Sequence, residues 1–158
     1  MLDANVFIQA SRRHYAFDIA PRFWDSLLHH AANGEVRSID RVLEELERGK
    51  DDLAAWAHDN FNSFFDTTDD GAVIQTFSDI MVWVQAQSQF LDAAKADFAR
   101  GADGWLVAYA KVKNSVVVTH EVLNPAIRSK VPIPNMCQPF SVPYIDTFDM
   151  LRRLGVRL

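Results

Sequence analysis

Four acidic residues carry the chemistry that this sequence offers: Asp3, Glu45, Asp103 and Glu121. Asp3 stands at the edge of an apolar run, Met1-Leu2-Asp3-Ala4-Asn5-Val6-Phe7-Ile8, with the small polar Asn5 two residues on. Asp103 lies in Gly101-Ala102-Asp103-Gly104, directly before the apolar stretch Trp105 to Ala110. Glu121 follows Thr119 by two positions, at the end of the β-branched run Val116-Val117-Val118-Thr119. Grouped carboxylates raise one another's pKa, so they do not all ionise cheaply. A hard divalent cation resolves that repulsion: Mg²⁺ or Mn²⁺ takes oxygen ligands, keeps several waters, and binds through one or two carboxylates plus substrate phosphates. Such an ion activates water and offsets charge on a phosphodiester. No glycine-rich phosphate loop occurs, so phosphodiester hydrolysis is expected rather than nucleoside triphosphate binding. Each acid also has a plainer reading. Asp3 and Asp103 suit helix N-caps, and Glu121 suits a loop.

Alternating strands and helices must bring these residues together. Residues 1–3, 36–39 and 116–119 read as strands, 61–65 as a strand or extended segment, and 140–142 as a late strand. Helices are expected from Pro21, where proline suits a first turn, to Asn33-Gly34. Others are expected over residues 40–48, with Ser38 as cap, over 51–60, over 72–98 with a break near 85–89, over 105–110, and over 147–154. Core candidates on the 72–98 stretch include Ile74, Phe77, Ile80, Met81, Val84, Phe90, Leu91 and Ala94. Residues 124–139 hold four of the six prolines and read as a loop. The pattern argues for an α/β fold with a parallel sheet. Strand C-terminal ends and the following helix starts then share one edge, where open α/β sheets bind ligands. On the 40–48 helix Glu45 and Glu44 point about 100° apart, so Glu44 is expected in solvent. The first strand is short against the usual 5–6 residues, and a few apolar residues are expected upstream of Met1.

Composition narrows the class. A chain of 158 residues with 49% hydrophobic content suits one folded domain, 1–158, rather than disorder. No run nears the roughly 18 apolar residues of a membrane span. The single Cys137 excludes an internal disulfide and fits a reducing cytoplasm. Nothing at the start resembles a secretory leader, so a cytoplasmic location is expected. The net charge of −5 is uneven: residues 51–110 carry 2 Lys/Arg against 10 Asp/Glu, and residues 111–158 carry 7 against 3. Nucleic acid is therefore permitted by charge but not indicated by it. His29-His30 cannot face one site on a helix, and Asp69-Asp70-Gly71 lacks a calcium-loop pattern.

Taken in order, Asp3-Ala4-Asn5 after an apolar start, Val42-Leu43-Glu44-Glu45-Leu46, Ala102-Asp103 opening a helix, and Thr119-x-Glu121 closing a Val-rich strand resemble the PIN domain. The resemblance spans nearly the whole chain. It implies a three-layer α/β/α fold with a central parallel sheet and a Mg²⁺- or Mn²⁺-dependent endoribonuclease. Many PIN domains are toxins of bacterial toxin–antitoxin pairs of the VapC kind. Carried over by position, Asp3, Glu45, Asp103 and Glu121 would be both catalytic residues and metal ligands, with Asn5 and Thr119 supporting them. The implied products carry a 3′-hydroxyl and a 5′-phosphate, and the implied partners are RNA, a cognate antitoxin and a second copy of the chain. Two departures stand out. Glu121 replaces the usual Asp and is one methylene longer, and the Pro-rich 124–139 segment exceeds a minimal PIN domain. A non-catalytic PIN-like binding module is the alternative. The acidic middle of the chain, with Phe61, Phe64, Phe65 and Trp83, is a candidate docking face for the antitoxin.

Overall fold

The strands of this protein are very short, and the first three residues join them. A computed structural model describes all residues, Met1–Leu158. Ser38–Ile39 (β1) pairs in parallel with Phe65–Asp66 (β2), and Val117–Val118 (β3) pairs in parallel with Tyr144–Ile145 (β4). Between the two ladders runs the Met1–Asp3 segment. The Leu2 amide donates to Arg37 O at 2.8 Å on one side. On the other side Val118 N donates to Met1 O at 2.8 Å and Asp3 N to Val118 O at 3.1 Å. The buried Ser38 hydroxyl adds a 2.6 Å bond to Leu2 O. The five segments thus lie side by side in the order β2, β1, Met1–Asp3, β3, β4. The arrangement is a mixed α/β fold with a small parallel sheet.

Helices cover this sheet: Ala4–Gln9 (α1), Pro21–Ala32 (α2), Asp40–Glu47 (α3), Asp52–Trp56 (α4), Gly71–Ala86 (α5), Asp92–Arg100 (α6), Asp103–Val112 (α7), Ile133–Cys137 (α8) and Thr147–Arg153 (α9). Their caps follow ordinary chemistry. Asp51, Asp70 and Asp146 each accept amide hydrogen bonds from the first turns of α4, α5 and α9. Leu2, Val6, Phe7, Ile39, Val42, Leu106, Val107 and Val117 form part of one continuous core between sheet and helices. α7 sits deep because Gly104 leaves room. A Cβ there would come within 3.0 Å of the rings of both Phe77 and Phe98. The ring of Phe77 in turn stacks on Trp105 at 3.9 Å.

Several sequence expectations need correction. The late strand lies at Tyr144–Ile145 rather than 140–142, since Ser141 takes a left-handed turn with φ of 55°. Residues 61–65 are mostly helical in character: π-helical Ala57–Phe61 leads through 3₁₀ Asn62–Phe64 into β2. The Pro-rich stretch contains α8, whose prolines lie at its start, where a missing amide costs nothing. Cys137 is buried in that helix, not placed on a loop. Ile74 and Leu91 are exposed rather than core. The break near 85–89 is real and separates α5 from α6. Phe61 is fully buried, so it is no part of an exposed docking face, and Phe64, Phe65 and Trp83 are only half-buried.

Candidate functional site

Each carboxylate of interest is delivered by a different element. Asp3 ends the Met1–Asp3 segment, Asp103 begins α7, Glu45 sits on the second turn of α3, and Glu121 follows β3. Asp3 is only 1% exposed and holds the N-cap position of α1, without a side-chain cap hydrogen bond. Its carboxylate instead accepts a 2.9 Å hydrogen bond from the Thr119 hydroxyl, a contact spanning 116 residues. Asp103 likewise makes no side-chain cap, and Ala102 holds the cap position of α7. Glu45 is half-buried while Glu44 is exposed, as their angular separation requires. Asn5 lies in the first turn of α1 beside Asp3.

The electrostatics show that the four acids share one neighbourhood. Burial pushes Asp3 up to about 6, Glu121 and Glu45 push the same way, and the Thr119 hydroxyl opposes them. Asp103 is pushed up to about 8, first by burial, then by Asp3 and Glu121, with Glu45 adding a smaller part. Glu45 is raised by burial and eased by Arg48 and Lys130. A carboxyl raised this far holds its proton near neutrality unless a cation offsets the crowding.

A lysine and the segment between β3 and α8 frame the group. Lys130 is ion-paired to Glu121. The other Glu121 oxygen accepts the Ile133 amide at 2.7 Å, at the start of α8. Lys130 and Asp103 both line a cleft of about 280 Å³ with Ser129 and Val131. Asp97 opens onto the same cleft, but its side chain is largely in solvent and pairs with Arg100. The neighbouring His120 ring shares a 3.0 Å hydrogen bond with Thr147, and burial with nearby His14 pushes its pKa down. The largest cavity, about 490 Å³, lies elsewhere, beside the strand beginnings at Met1, Arg37 and Val116. None of the four acids lines it.

The donor set suits a hard divalent ion. No three Asp, Glu, His or Cys side chains are drawn together as a ready-made cage. Mg²⁺ does not need one, because it keeps several waters and binds through one or two carboxylates. Asp3 and Asp103, at the end of the first segment and the start of α7, are the carboxylates that would offer those oxygens.

Thr119 is the residue whose removal reads out this geometry. It donates to Asp3 and its oxygen accepts the Glu121 amide at 3.1 Å. Thr119→Val is expected to cost about 1–3 kcal/mol in urea unfolding, as a buried polar group loses its partner. The bond favours ionised Asp3, so the loss is larger above pH 6 than at pH 5. Thr119→Ser restores stability. A cost that is the same at both pH values would contradict the role.

Fold and site together define a small mixed α/β protein with a carboxylate group at the C-terminal edge of its parallel strands. The chain belongs to the family described as Domain of unknown function (DUF4411), whose model matches residues 1–158. Comparison with curated proteins and with solved structures gives no match.

Proposed function

We propose that this protein is a Mg²⁺- or Mn²⁺-dependent endoribonuclease of PIN type, with a three-layer arrangement around its sheet. The observation that carries the reading is the meeting of Asp3 and Asp103. They come from elements about a hundred residues apart; burial raises both carboxyls, and Asp3 and Glu121 add to the rise at Asp103. A fold gains nothing in stability from such a pair, so its retention favours a binding role. Asp3 and Asp103 would hold the ion, with Glu45 within its field. The ion, when bound, supplies charge stabilisation on the phosphodiester and a more acidic water. The Thr119 hydroxyl holds one carboxylate oxygen of Asp3 and so orients that side chain. Asp3 is buried and Asp103 partly so, and this withdrawal from bulk water strengthens the electrostatic contacts there.

Within this reading the protein acts in the cytoplasm as the toxin of a toxin–antitoxin pair, as a homodimer restrained by a cognate antitoxin. A second reading, a PIN-like binding module without catalysis, is favoured by one feature: both Glu121 oxygens are already taken by donors of this chain. Purified protein incubated with single-stranded RNA separates the two. We expect cleavage in Mg²⁺ or Mn²⁺, arrest by EDTA, and products ending in 3′-hydroxyl and 5′-phosphate. Absence of cleavage with both metals across structured and unstructured RNAs would overturn the enzymatic reading. Growth arrest on expression of the chain alone tests the toxin role separately.

A further inference from the structure

The most informative group outside the acids is Lys130, and its position is built rather than incidental. It belongs to the strap between β3 and α8, which is fastened along its length. Gln89 Nε2 donates to Ile127 O at 2.8 Å, and Leu91 N donates to Arg128 O at 2.9 Å. Asn124 and Asn135 are joined by two hydrogen bonds of 3.1 and 2.8 Å. Val131, the next residue, is buried at 2% exposure and anchors the backbone. The strap therefore presents the Lys130 ammonium to Glu121, inside the cleft that Asp103 also lines.

Two-metal hydrolytic sites hold their ions about 3.5–4 Å apart, clamped by shared carboxylates. Glu121 is the carboxylate whose charge acts on both Asp3 and Asp103, so it is the one a second ion would have to recruit. One of its oxygens faces Lys130 and the other holds the Ile133 amide. The Lys130 ammonium, half in solvent and paired to Glu121, brings a single positive charge to that carboxylate and repels a dication. It needs no water shell replaced and no further carboxylate. The extra methylene of a glutamate gives the reach to meet the strap, whereas an aspartate would hold its carboxylate nearer the strand.

We propose that the Lys130 ammonium takes the place of a second divalent ion, so that the acidic edge binds one ion, on Asp3 and Asp103, and Glu121 holds the lysine. The inference rests on the metal-dependent reading above. It deepens that reading by setting the number of ions and by assigning Glu121 and Lys130 as positioning residues.

The test counts Mn²⁺ ions bound to the full-length chain by calorimetric titration, with electron paramagnetic resonance reporting whether two ions are spin-coupled. Wild type is expected to bind one ion and to give an uncoupled signal. Lys130→Met, neutral and similar in length, is expected to bind two and to show the multiline signal of a coupled pair. Lys130→Arg keeps the charge and is expected to bind one. Circular dichroism checks folding, and Lys130→Gln serves as the neutral variant should the methionine variant fail to fold. Two ions in wild type, or one in the folded neutral variant, would overturn this inference alone. No ion bound to wild type would overturn the metal reading beneath it as well.

Discussion

Asp103→Asn is expected to abolish RNA cleavage and, without metal, to make the protein more stable. Asparagine keeps the shape of the side chain but removes a charge and an ion ligand. The rate loss should reach at least about 10²-fold, the scale on which a single preorganised charge-stabilising group acts. Stability moves the other way for a separate reason. In the unfolded chain this carboxyl ionises near 4. In the fold, burial and Asp3 keep its proton on up to about 8. A folded pKa above the unfolded one means that the native state binds the extra proton. Its contribution is fully present at the acidic end and is lost as pH rises toward 8. Asparagine is exempt from that loss. The melting temperature of Asp103→Asn should therefore match wild type near pH 4, exceed it increasingly up to pH 8, and hold a constant lead above. The variant-to-wild-type difference is the right measure, because titrations common to both chains cancel in it. Added Mn²⁺ should raise the wild-type melting temperature and leave the variant nearly unmoved. Cleavage at the wild-type rate, or a lead that shrinks with pH, would refute the assignment.

The second large effect is structural. Phe61 has no exposed surface and touches an aromatic group of four rings. Its centroid lies 5.5 Å from Phe7 and 5.6 Å from Trp56, with Phe64 and Phe65 at 5.2 and 5.3 Å. Phe61→Ala is expected to cost about 3–5 kcal/mol by lost burial and cavity formation. Edge-to-face geometry with Phe7, Phe64 and Phe65 favours the upper end of that range. For a chain of this size each kcal/mol moves Tm by roughly 2–4 °C, so a drop of about 6–20 °C is expected. The π-helical turn Ala57–Phe61 and β2 pack through this residue, which ties α4 to the sheet. Trp83, half-buried with one distant ring partner in Phe140 at 6.3 Å, should lose much less on substitution by alanine. Equal costs at Phe61 and Trp83 would contradict this account of the core.

How much of this was legible before the structure differs by residue. Asp3, Asp103 and Glu121 announce themselves because each interrupts or bounds an apolar run, and the parallel strand pattern puts such breaks on one edge. Glu45 against Glu44 follows from helical angle alone. The elements around 57–65 and 133–145 resist reading for local reasons. Phe61 to Phe65 has the aromatic content of a strand, yet tight π and 3₁₀ turns carry it, and such turns leave no periodic trace. Pro132 and Pro134 suggest a loop, but a proline in a first turn is compatible with helix, so α8 is hidden by the very residues that permit it. Lys130 is the clearest omission. Its partner lies nine positions away across an irregular strap, where neither a helical nor a strand period relates side chains.

The hydrogen bonding of Met1–Asp3 bears on how the protein is made. The segment is synthesised before its partners Arg37 and Val118, and Asp3 waits for Thr119. Closing a loop of that length is slow relative to local helix formation. On the ribosome, then, the first strand has no completed sheet to enter, and its two neighbours arrive in turn. The carboxylates gather only once about three quarters of the chain has been translated. The acidic edge of the sheet therefore cannot assemble on a nascent chain that has not yet reached Glu121.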